Sequence, residues 1–123
     1  MIKTGIDLIR INRLAEVNPC IRERFIQRVF TQAEQAQAMD DNENLSGLFA
    51  AKEAVSKALG TGIGKVSWQN IEILHEWTGE PLVYLHGNAL LVAEKKGLKQ
   101  WSVSITHDGG LAAAVAVAIG NKE

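Results

Sequence analysis

Between Leu111 and Ile119 the chain alternates strictly, with Leu111, Ala113, Val115, Val117 and Ile119 on one face of a strand and Ala112, Ala114, Ala116 and Ala118 on the other. A strand that is apolar on both faces is expected to be buried on both sides. Its alanine face is so shallow that only a helix surfaced with equally small residues packs closely against it. The stretch from about Glu43 to Leu59 supplies that helix, with Leu45, Leu48, Phe49, Val55 and Leu59 on its core side, small residues at Ala50 and Ala54, and Gly60 as its stop signal. The expectation is an α+β fold: a mainly antiparallel sheet with helices packed on one side.

The remaining elements follow from period and punctuation. Residues 2–9 place Ile2, Thr4, Ile6 and Leu8 on one strand face and Lys3, Gly5, Asp7 and Ile9 on the other. Asn12 to Asn18 forms a short helix that Pro19 breaks, Ile21 to Phe30 resumes it, and Thr31-Gln32-Ala33-Glu34 matches a capping box that opens another. Ile71 to His75 and Leu82 to Leu85 read as strands joined through Thr78-Gly79-Glu80-Pro81. Asn88 caps a helix that runs to Lys96 and ends at Gly97, and Trp101 to Thr106 pairs with the final strand through Asp108-Gly109-Gly110.

The totals narrow the function classes. A chain of 123 residues is expected to be one domain, residues 1–123, too short to fold a second lobe over a large cofactor, so a deep site calls for a second copy. A formal charge of −1 lacks the general electrostatic footprint of a nucleic-acid binder. The lone Cys20 makes no intrachain disulfide and builds no thiolate cluster, and no apolar run is long enough to span a bilayer. The reading is a soluble, cytoplasmic protein.

Chemistry concentrates on the long helix. Glu53 and Lys57 lie one turn apart on one face, an arrangement that on an ordinary surface contributes only about 0.2–0.5 kcal/mol and signifies nothing by itself. Asp7 adds a carboxylate inside an apolar strand, which costs desolvation unless a cation or donors compensate, and Gly5 beside it leaves space for a bound group. Two carboxylates without thiolates or clustered histidines suit a hard divalent ion such as magnesium, which takes one or two carboxylates, phosphate oxygens and water. Lys57 supplies a positive charge, and the loop Gly60-Thr61-Gly62-Ile63-Gly64 could bring backbone N–H groups to phosphate, but it lacks the Gly-Lys-Ser/Thr of a nucleotide-triphosphatase loop and by itself reads better as a helix stop and flexible turn. Ser102, Ser104 and Thr106 share a strand face that ends at His107, without the partners of a hydrolase triad; His75 and His86 carry no assigned role. Arg10, Arg13, Arg22, Arg24 and Arg28 make a basic segment suited to an acidic protein partner.

Taken in order, Gly5-Ile6-Asp7, Phe49-Ala50-Ala51-Lys52-Glu53-Ala54 with Lys57, Gly60-Thr61-Gly62, Ile71-Glu72-Ile73, Gly79-Glu80-Pro81 and Val103-Ser104-Ile105-Thr106-His107 resemble the holo-acyl-carrier-protein synthases, a family of 4′-phosphopantetheinyl transferases, over nearly the whole chain. The resemblance implies transfer of the 4′-phosphopantetheine arm from coenzyme A to a serine of apo acyl carrier protein, release of 3′,5′-ADP, and through that carrier a place in fatty acid biosynthesis. It implies magnesium on Asp7 and Glu53, catalysis by Asp7, Glu53 and Lys57, and coenzyme contacts from Lys57, Gly60, Thr61, Gly62, Pro81, Ser104 and His107. By the same likeness Arg13, Arg24 and Arg28 receive the acidic carrier, and three copies assemble with sites between them. The proton of the attacking serine falls to Glu53, a metal-bound water or His107, a choice the sequence leaves open, with the metal-bound water preferred because it needs no further residue. Many family members carry Arg where this chain has Leu48. That departure is the best support for the alternative, a non-catalytic or weakly active binder of coenzyme A or carrier protein; an RNA-binding module is disfavoured by charge and by the lack of paired base-stacking aromatics.

Overall fold

A computed structural model describes residues 1–121. In chain order the elements are β1 (Ile2–Arg10), α1 (Asn12–Glu16), α2 (Pro19–Val29), α3 (Gln32–Ala38), α4 (Asn42–Leu59), a 3-10 turn at Trp68–Asn70, β2 (Ile71–His75), β3 (Pro81–Leu85), α5 (Gly87–Lys96), β4 (Leu98–Asp108) and β5 (Leu111–Gly120). The strands form two antiparallel sheets, a three-stranded one ordered β1-β5-β4 and the hairpin β2-β3. The α+β architecture read from the sequence is present, with its sheet divided in two.

The division of labour along β5 follows its alternation. Ala112, Ala114, Ala116 and Ala118 are buried, and α4 lies across β1, β5 and β4 on that side. Gly5 makes the closest approach: a Cβ built there would stand 1.8 Å from the Ala54 carbonyl oxygen and 2.9 Å from the Ala58 nitrogen, both backbone atoms of α4. The glycine is therefore required by the strand-on-helix contact, and the space expected beside it for a ligand is filled by α4. Likewise Ala50 and Ala54 do not flank an open groove, because both are fully buried.

The opposite face of the sheet departs from expectation. In the single chain Ile6 is 68 % exposed and Leu8 63 %, and Ile2, Val115 and Ile119 join them, so the apolar face of β5 is open instead of buried. The register Ile6↔Val115 and Leu8↔Ala113 makes this one continuous patch.

Local boundaries differ by a few residues, each for a capping reason. Pro19 does not merely break a helix: it begins α2, where a missing N–H costs nothing, and Asn18 accepts from the Cys20 N–H as N-cap. Helix α5 starts at Gly87 after His86, one residue ahead of Asn88. The Thr31/Glu34 capping box, the Gly60 and Gly97 stops and the Gly109-Gly110 turn form as read.

Candidate active site

Helix α4 is buried on nearly every side. Along its middle only Phe49, Glu53 and Lys57, each four residues apart, escape full burial, and Phe49 is covered by Trp68, with ring centroids 4.9 Å apart. Glu53 and Lys57 are thus the polar groups that α4 offers to solvent at its centre. The Gly5 contact brings β1 alongside them. Lys57 Nζ donates to the Ile6 carbonyl at 2.9 Å and to Asp7 Oδ1 at 3.2 Å, with the side chains of Lys57 and Asp7 50 % and 18 % exposed.

Glu53 is the electrostatically perturbed member. Burial raises its pKa above the ordinary carboxylate value, the nearby Asp7 charge raises it further, and Lys57 offsets part of the rise. A carboxylate whose ionisation is made costlier by burial and by a second one nearby, with one ammonium to compensate, fits a hard dication that takes oxygen donors. Among the described residues no group of three or more His, Cys, Asp or Glu side chains is placed to hold a metal, so a site here relies on two protein carboxylates with the rest from water and substrate.

The loop after α4 behaves differently from a phosphate cradle. The Gly60 N–H donates to the Lys57 carbonyl at 3.0 Å, and those of Thr61 and Gly62 donate to the Ser56 carbonyl at 3.3 and 3.2 Å. All three N–H groups close the C-terminus of α4, in agreement with the helix-stop reading. Gly60 and Thr61 instead line a cleft shared with Lys65, Asn88, Lys95 and Lys96. The Lys96 ammonium donates to the Leu59 carbonyl, another group of the same helix end.

Other residues singled out by sequence lie elsewhere in the chain. His107 Nε2 donates to the Glu43 carbonyl at 3.1 Å, at the start of α4. Between Gly47, which His107 touches, and Lys57 lie about 15 Å of helix at 1.5 Å per residue. His107 shares a cavity of about 170 Å³ with Leu48, Ile105 and His75, and Pro81 pairs with His75 across the hairpin. Ser104 is exposed on the open face of the sheet, paired with Val115. A single chain thus unites Asp7, Glu53 and Lys57, sets Gly60, Thr61 and Gly62 at the same end of α4, and leaves Pro81, Ser104 and His107 apart from them.

On α2, Arg24 and Arg28 border one shallow surface with Cys20, Glu23 and Gln27, and Arg13 is exposed on α1. Arg22 is already engaged, with Nη1 2.8 Å from Asp40 Oδ1.

The sequence did not reveal Lys52. Its side chain and that of Glu34 are both 0 % exposed, and Nζ lies 2.8 Å from Glu34 Oε1. Nζ also donates to the carbonyls of Trp68 and Ile71, while Glu34 accepts from the Thr31 N–H at 2.9 Å and the Ile73 N–H at 2.8 Å. The available signal was a cation next to Glu53 in a run that is otherwise small or apolar, Ala50 to Ser56, whose partner stood on another helix.

The chain matches the family model described as the 4′-phosphopantetheinyl transferase superfamily over residues 3–116. It is 39 % identical over 127 residues to a holo-[acyl-carrier-protein] synthase of Herpetosiphon aurantiacus, covering 98 % of this chain and 100 % of that protein. The identity to the synthase of Moorella thermoacetica is 45 % over 120 residues, covering 95 % and 93 %. The crystal structure of the Helicobacter pylori holo-[acyl-carrier-protein] synthase in complex with coenzyme A superposes with a TM-score of 0.85 at 32 % identity, covering 94 % of this chain and 99 % of that one.

Proposed function

Because this chain belongs to the 4′-phosphopantetheinyl transferase superfamily, we propose that it moves the 4′-phosphopantetheine arm of coenzyme A onto a serine of apo acyl carrier protein, releasing 3′,5′-ADP. The observation that carries the reading is the convergence of Asp7, Glu53 and Lys57 where Gly5 lets β1 touch α4. In the reaction the serine oxygen bonds to the β-phosphorus of coenzyme A as the bond from that phosphorus to the bridging diphosphate oxygen breaks. Asp7 and Glu53 would hold magnesium, which when bound neutralises the diphosphate and favours the charge that builds on it. Lys57, half exposed and already beside Asp7, supplies a positive charge to the departing oxygens. The serine proton has a candidate acceptor within this cluster in the Glu53 carboxylate.

The reading extends to assembly and partners. The chain acts as one transferase domain, residues 1–123, that associates as a homotrimer through the open apolar face of β1 and β5. One observation supports this: Ile6 and Leu8 are left exposed by the single chain, where a second copy would cover them and add its own residues beside the Asp7, Glu53 and Lys57 cluster. Arg13, Arg24 and Arg28 receive the acidic surface of the carrier. Among the described residues no helix is long and apolar enough to cross a membrane, and with a net charge of −1 the reading is a cytoplasmic protein of lipid metabolism that does not bind nucleic acid.

Mass spectrometry of apo acyl carrier protein incubated with the protein, coenzyme A and magnesium tests the reading. Addition of the phosphopantetheine arm, lost when magnesium is chelated, is the expected result; no addition across several carriers would leave the binding-only alternative, which Leu48 in the His75/His107 cavity favours.

A further inference from the structure

Where α4 meets the sheet and its surroundings, Ala50, Ala51, Ala54 and Ala58 are buried, with Leu45, Leu48, Val55 and Leu59 buried beside them. These apolar contacts permit close approach and resist large movements, but they are non-directional and do not by themselves select one exact roll of the helix about its axis. A roll matters here. With side chains reaching about 5–6 Å from the axis, a 20° rotation carries a carboxylate roughly 2 Å, well beyond the ~0.5 Å tolerance of a functional constellation.

Lys52 supplies the directional contact. It immediately precedes Glu53, and its three ammonium protons have three fixed acceptors on three separate elements: Glu34 of α3, the Trp68 carbonyl of the 3-10 turn and the Ile71 carbonyl of β2. Glu34 is in turn held by the N–H groups of Thr31 and Ile73. Each acceptor is itself anchored: Thr31 and Glu34 form the capping box of α3, and Ile71 and Ile73 are in the β2-β3 ladder. Resting on the function proposed above, we propose that the buried Lys52–Glu34 pair is a positioning element of the transferase site, fixing the roll of α4 so that Glu53 faces Asp7.

A purely stabilising role is the competing account, and buried ion pairs are poor stabilisers: exchanging both partners for apolar side chains of similar volume is often neutral or better. Lys52→Met combined with Glu34→Leu therefore separates the two. The expected double variant is folded by circular dichroism, with an unchanged sedimentation coefficient. It loses about tenfold or more in kcat at unchanged KM for carrier, and binds Mn²⁺ in the presence of coenzyme A about tenfold more weakly by electron paramagnetic resonance, the scale of losses when supporting residues of a metal site are removed. A folded double variant with wild-type kcat and Mn²⁺ affinity overturns the positioning role. Should the double variant not fold, Glu34→Gln carries the comparison, and a folded Glu34→Gln protein with wild-type kcat and Mn²⁺ affinity overturns the role equally. Wild-type protein that neither transfers the arm nor binds Mn²⁺ would remove the function reading itself, an outcome distinct from active wild type beside an equally active double variant.

Discussion

Gly5→Ala is the sharpest perturbation of the proposed site, because it adds one methyl group and no charge. The new Cβ would lie 1.8 Å from the Ala54 carbonyl oxygen, 2.8 Å from its carbon and 2.9 Å from the Ala58 nitrogen, against the 3.4 Å at which ordinary contact begins. The shortfall of about 1.6 Å falls on helical backbone, with no flexible side chain to swing away. Strand and helix must separate. Overpacking a core typically costs about 1–3 kcal/mol, and a backbone-to-backbone clash belongs at or above the top of that range; the entropic gain from replacing glycine, about 0.4–1 kcal/mol, does not offset it. Separation also withdraws β1 from Lys57, stretching the 2.9 Å bond to Ile6 and the 3.2 Å pair with Asp7. Urea unfolding should show a lower midpoint at unchanged slope, and carrier modification, measured where the variant is still fully folded, should fall by an order of magnitude or more. Wild-type stability would refute the close-contact argument. Lowered stability with full activity in the folded variant would refute the claim that this contact places Asp7.

Glu53→Gln should abolish transfer while leaving the fold intact, as mass spectrometry of the carrier and circular dichroism would show; full activity under metal limitation rejects the site. The same variant tests the perturbed carboxyl. A folded-state pKa raised above the unfolded value means stability that is present below the unfolded pKa and lost as pH rises through the folded one, so without metal Glu53→Gln should melt higher than wild type at neutral pH and no higher near pH 4. Arg24→Glu with Arg28→Glu should weaken carrier binding and flatten its salt dependence, and identical affinity across salt concentrations would take those arginines out of the interface. Ile6→Glu, on the open face of the sheet, should convert the assembly to monomers in sedimentation velocity while each chain stays folded; an unchanged sedimentation coefficient rejects that face as the interface.

The elements were legible wherever a local rule encodes them. Alternation in β5, the capping box at Thr31 and the glycine stops at Gly60 and Gly97 involve residues a few positions apart, and each formed as read. The acid–base stripe of Glu53 and Lys57 was legible for the same reason, since helical spacing alone places them together. What failed depended on what lay across from a residue. Gly5 was read as room for a ligand because its neighbour, Ala54, stands far away in sequence. The loop Gly60-Thr61-Gly62 read by itself as a helix stop, and the folded cap shows which acceptors its N–H groups take, the carbonyls of Lys57 and Ser56. Lys52 was given no role, because the partners that define it, on α3, the 3-10 turn and β2, stand far away in sequence.

By itself, then, the amino-acid order determined which segments become strands and helices, that Ala112 to Ala118 must meet a helix of small residues, and that Asp7, Glu53 and Lys57 are candidates for binding a dication and phosphate. Tertiary structure alone decided that Asp7 meets Lys57 at 3.2 Å, that the apolar face of β1 and β5 is left open by one chain, and that Lys52 is spent on an ion pair. Periodicity and capping are written in a few neighbouring residues. The burial, charge compensation and hydrogen-bond partners that turn a side chain into part of a site come from segments that only the folded chain brings side by side.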